Sequence, residues 1–122
     1  MHLNAIVGGR REAGTKHHQI LIVGGGTAGV TVAASLRRRG PGSLDIAIVE
    51  PSATHYYQPC FTLVGAGVYD MARTQRPERS LIPAGVTLIQ DAAKMFDPDN
   101  NSVTLETGST LTYDYLVICT GV

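Results

Sequence analysis

The sequence is poor in several features that would restrict a protein to a special class. It has no tryptophan, two cysteines in 122 residues, and ten acidic against ten basic side chains. Two cysteines without a close partner exclude a disulfide scaffold and favour a reducing compartment or inert thiols. Zero net charge without a basic stripe gives no sign of a nucleic-acid partner. The apolar runs are strand-sized and too short to span a membrane.

The N-terminal segment differs in composition from the remainder of the chain. Residues 1–18 contain three basic side chains against one acidic side chain, with glycines as breakers. A basic, acid-poor segment is typical of a transit peptide, and a disordered leader explains it equally well. We therefore expect a leader or transit-peptide remnant over residues 1–18 and a folded domain over residues 19–122.

The strongest motif is a short apolar run that ends in spaced glycines. Residues 20–23 are followed by Gly24, Gly26 and Gly29 in the pattern G-x-G-x-x-G, and a helical pattern begins at once. Strand, glycines and helix in this order form the dinucleotide-binding fingerprint. Gly24 permits a sharp turn, Gly26 lets a pyrophosphate approach the backbone, and Gly29 lets the helix pack closely on the strand. The N–H groups at the helix start attract phosphate.

An acidic residue closes the next apolar run. Residues 46–49 form a candidate second strand, Glu50 follows it, and Pro51 stops it. A carboxylate in this place accepts hydrogen bonds from ribose hydroxyls and repels a 2′-phosphate. The sequence therefore predicts a dinucleotide held by its pyrophosphate and ribose, with NADP disfavoured.

The end of the first helix is marked by charge and by glycine. Three arginines at residues 37–39 offset the negative end of the helix dipole. We interpret them as a solvated helix end rather than a nucleic-acid site. Gly40 then suits the position after the helix, where a left-handed backbone is common.

The remaining sequence predicts more strands, connected by one long segment. Residues 51–79 form a long connection, which is usually functional or shaped around a ligand. Within the connection we expect a short apolar helix over residues 61–68, and after it a single turn at 80–82. A third parallel strand is expected over 86–89, and a buried parallel strand over 115–119. Between these two strands we expect a meander of three short strands over 92–96, 102–106 and 110–113.

This pattern predicts an α/β fold with a parallel sheet and a three-stranded antiparallel meander. A parallel sheet needs helices on both faces, whereas the sequence offers one long helix. We therefore expect a Rossmann-like dinucleotide-binding domain that is an incomplete fragment, with the remainder of any active site supplied elsewhere.

Together these features resemble the FAD domain of the pyridine nucleotide–disulfide reductase superfamily. The meander and the Thr-Gly pair after the last strand fit such a domain. The stretches at residues 48–52, 55–59 and 62–67 are more particular, because they resemble the sulfide:quinone oxidoreductase family. The resemblance runs from about Gln19 to Val122, and it implies FAD as the cofactor. It also implies that Thr27 and Ala28 contact the pyrophosphate, Glu50 the ribose, Gln58 the flavin side, and the backbone of Ala93 the adenine. The full set of expected cofactor-binding residues is Gly24, Gly26, Thr27, Ala28, Gly29, Glu50, Gln58, Ala93, Thr120 and Gly121.

The resemblance further implies an enzyme that oxidises sulfide and passes electrons through FAD to a quinone. The family's redox cysteines would lie beyond this chain, so no catalytic residue is assigned, no metal is expected, and the fragment alone should be inactive. Any membrane association would come from parts outside this chain, at the mitochondrial inner membrane or, alternatively, the bacterial cytoplasmic membrane. Two alternatives stay open: a type II NADH:quinone oxidoreductase-like flavoprotein, and a non-catalytic FAD-binding module.

Four side chains near the expected site have two interpretations each. Cys119 is expected to be a buried small hydrophobe, and Cys60 to pack under the loop rather than take part in redox chemistry. Tyr56 and Tyr57 either stack near the flavin or fill the core of the loop. We expect His55 to be a hydrogen-bonded loop residue rather than a general base.

Overall fold

The computed structural model describes residues 14–121, which form an α/β unit. Of the predicted leader, residues 1–18, the first thirteen lie outside the described residues. The elements are β1 (Thr15–Val23), α1 (Thr27–Arg39), β2 (Ile46–Val49), β3 (Thr54–Tyr56), α2 (Phe61–Gly65), β4 (Gln75–Pro77), α3 (Glu78–Leu81), β5 (Val86–Ile89), β6 (Ala93–Asp97), β7 (Ser102–Leu105) and β8 (Thr110–Ile118). Short 3₁₀ turns cover Gln58–Cys60, Met71–Thr74 and Pro98–Asn100.

Six strands form one mixed sheet in the order β5-β2-β1-β8-β7-β6. The four strands from β5 to β8 run parallel, and Ile22 in β1 is level with Ile48 in β2 and Val117 in β8. The strands β8, β7 and β6 continue the sheet with antiparallel pairing. The predicted α/β class, the parallel sheet and the antiparallel meander are therefore confirmed.

One strand joins the parallel and antiparallel parts of the sheet. We expected the third meander strand and the final parallel strand to be separate, with a break at Asp114, and this was wrong. Strand β8 is continuous, and Asp114 is an exposed residue within it. The first half of β8 pairs with β7 on one side and with β1 on the other. Because this half already has two partners, a polar residue at its end does not interrupt the ladder.

The first strand begins at Thr15, earlier than the predicted boundary at Gln19. Residues 15–18 pair with residues 110–113 of β8, and His17 Nδ1 lies 2.8 Å from Thr112 Oγ1. The polar side chains of this segment hid its strand character, because only His18 among them is buried. Residues 15–18 thus extend the first strand of the sheet.

Two hydrophobic clusters cover the two faces of the parallel strands. Ile22 packs with Ala33 of α1, whereas Leu21 packs with Val103 and Leu111 of the meander strands. Successive residues of a strand point to opposite faces, so the meander covers the face opposite α1. Apolar side chains of β7 and β8 thus cover the face of the parallel strands for which the sequence offers no long helix. Burying Leu21 or Ile22 contributes about 1.5–3 kcal/mol each.

The connection between β2 and β5, residues 51–85, is more ordered than a loop; we call it the strap. Its strands β3 and β4 form a separate two-stranded antiparallel sheet. The predicted helix over residues 61–68 is shorter and ends at Gly65, and the predicted turn at 80–82 lies in α3, which begins at Glu78. The short strands escaped prediction because their side chains are mostly exposed and show no alternation.

The end of α1 differs from the expected solvated terminus. Arg37 donates from its guanidinium to the carbonyl oxygens of Leu44, at 2.6 Å, and Gly42, at 2.8 Å, so it closes the turn that follows the helix. The other two arginines are exposed, as expected. Gly40 caps the helix through its N–H to the Leu36 carbonyl, but its φ of −90° is not left-handed. Glycine is favoured there by space, since a Cβ would lie 2.8 Å from the Leu36 oxygen.

Candidate functional site

The glycine loop, residues 24–29, turns the chain from β1 into α1. Gly24 has a φ of +108°, which favours glycine, and its N–H donates to the Val49 carbonyl at 2.8 Å. A Cβ on Gly24 would overlap the carbonyl of Cys119, and a Cβ on Gly29 would overlap the carbonyl of Gly24. The predicted turning and packing roles of these two glycines are therefore visible in the backbone.

The middle of the loop faces solvent. Gly26 is the residue before α1, and a Cβ placed on it meets nothing within 4 Å. Thr27 and Ala28, in the first turn of α1, are also exposed. Because the first N–H groups of a helix have no partner within the helix, this end of α1 offers donors and a positive dipole end to an anion.

Glu50 leaves β2 and folds back onto the glycine loop. Its Oε2 accepts from the Gly25 N–H at 2.7 Å, and its Oε1 accepts from the Ser52 N–H at 2.9 Å. A carboxylate has about four lone-pair sites, so both oxygens keep capacity for further donors. The arrangement can hold the loop and accept hydroxyl groups of a ligand at the same time.

Two adjoining cavities share Glu50 and Thr120. The larger, about 540 Å³, is lined by Gly26, Thr27, Glu50, Tyr56, Gln58, Pro59, Cys119, Thr120 and Gly121. The smaller, about 260 Å³, is lined by Val23, Gly24, Val49, Glu50, Pro51, Ala92, Ala93, Phe96 and Thr120. Eight of the ten predicted cofactor residues therefore lie on one continuous surface. Of the other two, Ala28 is exposed beside it and Gly29 is buried beneath it. Their contacts with a cofactor stay predictions.

The carboxyl end of β8 forms one wall of the larger cavity. The Cys119 N–H donates to the Val23 carbonyl at 2.7 Å, which brings Thr120 and Gly121 beside the glycine loop. Cys119 packs against the core and also lines the cavity, and it is half-buried rather than buried as we expected. Strand β8 ends at Ile118, which leaves Cys119 at the exposed edge. Cys60 is also a half-buried free thiol.

Tyr56 and Tyr57 do not fill the core of the strap. Tyr56 is 41% exposed and Tyr57 is 46% exposed. Tyr56 lines the larger cavity together with Gln58 and Pro59. Of the two interpretations, an aromatic wall beside the cavity therefore fits Tyr56.

A buried ionisable pair lies behind the glycine loop. His55 is 8% exposed and Glu78 is 2% exposed, and His55 Nδ1 lies 3.3 Å from both Glu78 Oε2 and the Gly25 carbonyl oxygen. His55 is thus the hydrogen-bonded residue that we expected. Burial raises the pKa of Glu78 above its usual range, His55 lowers it, and Glu50 adds to the increase. Glu78 was missed, because no local motif marks it.

Two classes of site are not found within residues 14–121. This part of the chain contains no group of three or more His, Cys, Asp or Glu side chains that could hold a metal ion. None of its helices is long and apolar enough to cross a membrane.

Comparisons with known proteins identify similar chains. The pyridine nucleotide-disulphide oxidoreductase family matches residues 18–122. The mitochondrial sulfide:quinone oxidoreductase of Mus musculus is 42% identical over 106 residues, which cover 87% of this chain and 23% of the mouse protein. The corresponding protein of Dictyostelium discoideum is 44% identical over 103 residues, with coverages of 84% and 23%.

A solved structure gives the same relationship in three dimensions. The sulfide:quinone oxidoreductase of the hyperthermophilic bacterium Aquifex aeolicus superposes with a TM-score of 0.73 at 29% identity. The match covers 87% of this chain and 24% of the Aquifex chain. The chain thus spans about a quarter of the length of the relatives that it matches.

Proposed function

Because the chain belongs to the pyridine nucleotide-disulphide oxidoreductase family, we propose that it is the FAD-binding segment of a sulfide:quinone oxidoreductase. In this proposal the full-length protein oxidises sulfide and passes the electrons through FAD to a quinone. The similarity to two mitochondrial sulfide:quinone oxidoreductases supports this choice within the family. The same similarity supports a mitochondrial location, at the inner membrane where a quinone is available.

The continuous surface along the two cavities is the observation that carries the proposal. Its residues occur in the order that an extended dinucleotide requires, with Ala93 in the smaller cavity, Glu50 between the cavities, and Gly26 in the larger one. We assign the adenine to the Ala93 side and the ribose hydroxyls to the Glu50 carboxylate. The pyrophosphate then lies against the helix start at Gly26, Thr27 and Ala28.

The far end of the larger cavity is assigned to the flavin side of the cofactor. Gln58 comes from the strap, and Thr120 and Gly121 follow β8, so two separate elements meet there. The side-chain amide of Gln58 carries both a donor and an acceptor, which suits the polar edge of an isoalloxazine ring. When bound, FAD supplies the capacity to take up two electrons and release them to a second substrate.

The residues of this chain bind and orient the cofactor, and they do not include the sulfide-oxidising group. Glu50 disfavours a 2′-phosphate by charge repulsion, so it selects against NADP at this position. The redox cysteines of the sulfide:quinone oxidoreductase family are proposed to lie in the part of the protein outside this chain, as is any contact with a membrane.

The test uses the full-length protein that contains this chain. We expect it to purify with bound FAD, sulfide to bleach the flavin absorbance, and a quinone to restore it. Glu50→Gln should weaken FAD binding by about tenfold or more, because a charged hydrogen-bond acceptor is removed. Glu106→Gln makes the same chemical change at an exposed position and should leave FAD affinity unchanged.

The alternatives give different results in the same experiment. Bleaching by NADH with no response to sulfide would identify a type II NADH:quinone oxidoreductase-like enzyme. Bound FAD that responds to neither reductant would identify a non-catalytic flavin-binding module. A protein that binds no flavin would refute the proposed cofactor.

A further inference from the structure

The strap reaches into the glycine loop through two buried side chains. His55 lies in the middle of β3, and Glu78 follows β4 at the start of α3. The Glu78 N–H donates to the Ala53 carbonyl at 2.8 Å, which fixes the carboxylate next to β3. Both side chains then point at one residue of the loop, Gly25, which is itself buried.

Both peptide groups of Gly25 are fixed by these neighbours. Its N–H donates to Glu50 Oε2 at 2.7 Å, and its carbonyl oxygen lies 3.3 Å from His55 Nδ1. In a trans peptide the carbonyl and the following N–H point in opposite directions, and the described residues contain no cis peptide. A hydrogen bond from His55 to the Gly25 carbonyl therefore turns the Gly26 N–H away from the strap. Gly26 is one of the residues that line the larger cavity, and it is the only residue of the pair Gly25–Gly26 that does so.

Glu78 influences which ring nitrogen of His55 is protonated. Only a protonated Nδ1 can donate to the Gly25 carbonyl, and the tautomer of a histidine is set by the partner of its ring nitrogens. Glu78 Oε2, at 3.3 Å from the same Nδ1, favours the proton at that nitrogen. The second oxygen, Oε1, is buried with no hydrogen-bond partner among the described residues. It would lie 2.5 Å from a Cβ on Gly25, so the carboxylate fills the place of a side chain.

We propose that His55 and Glu78 are positioning residues that orient the Gly25–Gly26 peptide so that the Gly26 N–H faces the pyrophosphate of the bound dinucleotide. This inference rests on the proposed binding of FAD. In this proposal the strap contributes to phosphate binding together with the glycine motif. The strap residues act through the loop backbone and do not touch the cofactor themselves.

The alternative is that the pair only fills space behind the loop, and the two explanations order a variant series differently. His55→Asn shortens the side chain but places an amide N–H near the position of Nδ1, whereas His55→Leu keeps more volume and removes the donor. If the donor matters, His55→Asn should bind FAD within about threefold of the wild-type protein. His55→Leu should then bind about tenfold more weakly, which is the loss of one buried hydrogen bond.

The experiment is a titration of the flavin-free, full-length protein with FAD, followed by flavin fluorescence. Thermal unfolding of each flavin-free variant is measured alongside, because packing predicts that the smaller Asn is the more destabilising change. Glu78→Gln should weaken FAD binding by about tenfold, since a neutral amide no longer fixes the proton on Nδ1. Glu106→Gln and His17→Leu, both at exposed positions, are the matched controls and should bind as the wild type does.

Each outcome decides between the explanations. The proposal is supported if His55→Asn binds FAD more tightly than His55→Leu although it is the less stable of the two variants. Equal affinities in all variants, or weaker binding by His55→Asn than by His55→Leu, overturn it while leaving the proposed cofactor intact. Absence of FAD binding by the wild-type protein refutes the proposed function itself. If a flavin-free variant does not stay folded, the rate of flavin release from the loaded protein gives the same ordering.

Discussion

The glycine loop and the strap meet at Gly25 but are specified in different ways. The loop is short, and its turn follows from the positive φ of Gly24 and from the close approach of Gly29 to the Gly24 carbonyl. The strap is long and mostly exposed, and it contacts the glycine loop through two buried side chains, His55 and Glu78. The shape of this glycine loop is thus determined locally, whereas in our proposal its orientation depends on a distant segment.

The shape and the orientation of the glycine loop depend on different residues. Gly24 fixes the path of the chain, because its backbone conformation and its contact with the Cys119 carbonyl exclude a side chain. Gly25 has no such backbone requirement, and a side chain there would instead meet the Glu78 carboxylate and the Cβ and Cγ of Glu50. Substitutions at the two glycines should therefore destabilise the protein for different reasons. Only the loss at Gly25 should be relieved by a second substitution in the strap.

The largest effect is expected at Gly24, where shape is decided. Gly24→Ala should lower the free energy of unfolding by about 3 kcal/mol or more, because the positive φ costs about 1–3 kcal/mol and the overlap with Cys119 adds to it. The measurement is urea unfolding of the full-length protein without FAD. No second substitution in the strap should restore stability, since the strap does not cause the strain.

Gly42 offers a matched control for this substitution. A Cβ on Gly42 meets nothing within 4 Å, and the residue is not among those with a positive φ. Gly42→Ala should change the free energy of unfolding by about 0.5 kcal/mol or less. A similar loss in both variants would contradict the local origin of the loop's shape.

A smaller effect is expected at Gly25, where orientation is decided. Gly25→Ala should lower the free energy of unfolding by about 1–3 kcal/mol, because its Cβ would lie 2.5 Å from Glu78 Oε1. Glu78→Ala removes that oxygen, so the double variant should be more stable than the sum of the single changes predicts. We expect a coupling of about 1 kcal/mol in the double-mutant cycle, read from urea unfolding.

Additive effects in this cycle would refute the contact between loop and strap. The Cβ added at position 25 would also lie 2.8 Å from the Cβ of Glu50. Removing the Glu78 side chain should therefore restore only part of the lost stability. Pairing Gly24→Ala with Glu78→Ala is the control cycle, and it should be additive because Glu78 is not among the atoms nearest to Gly24.

The same contrast explains what could be predicted from the sequence. Strand β2 and strand β5 have the predicted bounds, and Glu50 folds onto the loop, because apolar runs and a glycine motif are local signals. Most residues expected at the cofactor also lie on one surface, and their binding roles are part of the proposed function.

The strap and the joined strand could not be predicted, because their causes are not local. Residues 15–18 become a strand only because β8 offers them a free edge, and β8 is continuous across Asp114 for the same reason. Glu78 is buried because β3 and β4 pair, and no feature next to it in sequence marks it as different from an exposed glutamate.

The smallest expected effect is the pH dependence that Glu78 gives to stability. Burial raises its pKa in the folded protein above the ordinary value of 4.5, so the folded state holds this proton more tightly than the unfolded state does. The contribution of Glu78 to the free energy of unfolding should therefore fall as the pH rises from about 4.5 through the folded pKa. Glu78→Gln removes this titration, so its stability relative to the wild type should increase over that interval.

His55 lowers the pKa of Glu78 and so opposes this effect, which allows a sharper test. His55 lowers the pKa of Glu78, so His55→Asn should raise that pKa further and enlarge the pH dependence that Glu78→Gln removes. The measurement compares Glu78→Gln with its parent in both backgrounds, by urea unfolding at a series of pH values. A constant difference between Glu78→Gln and its parent at every pH would mean that the Glu78 carboxylate is not desolvated. A charge on Glu78 would then contribute nothing to the position of the loop.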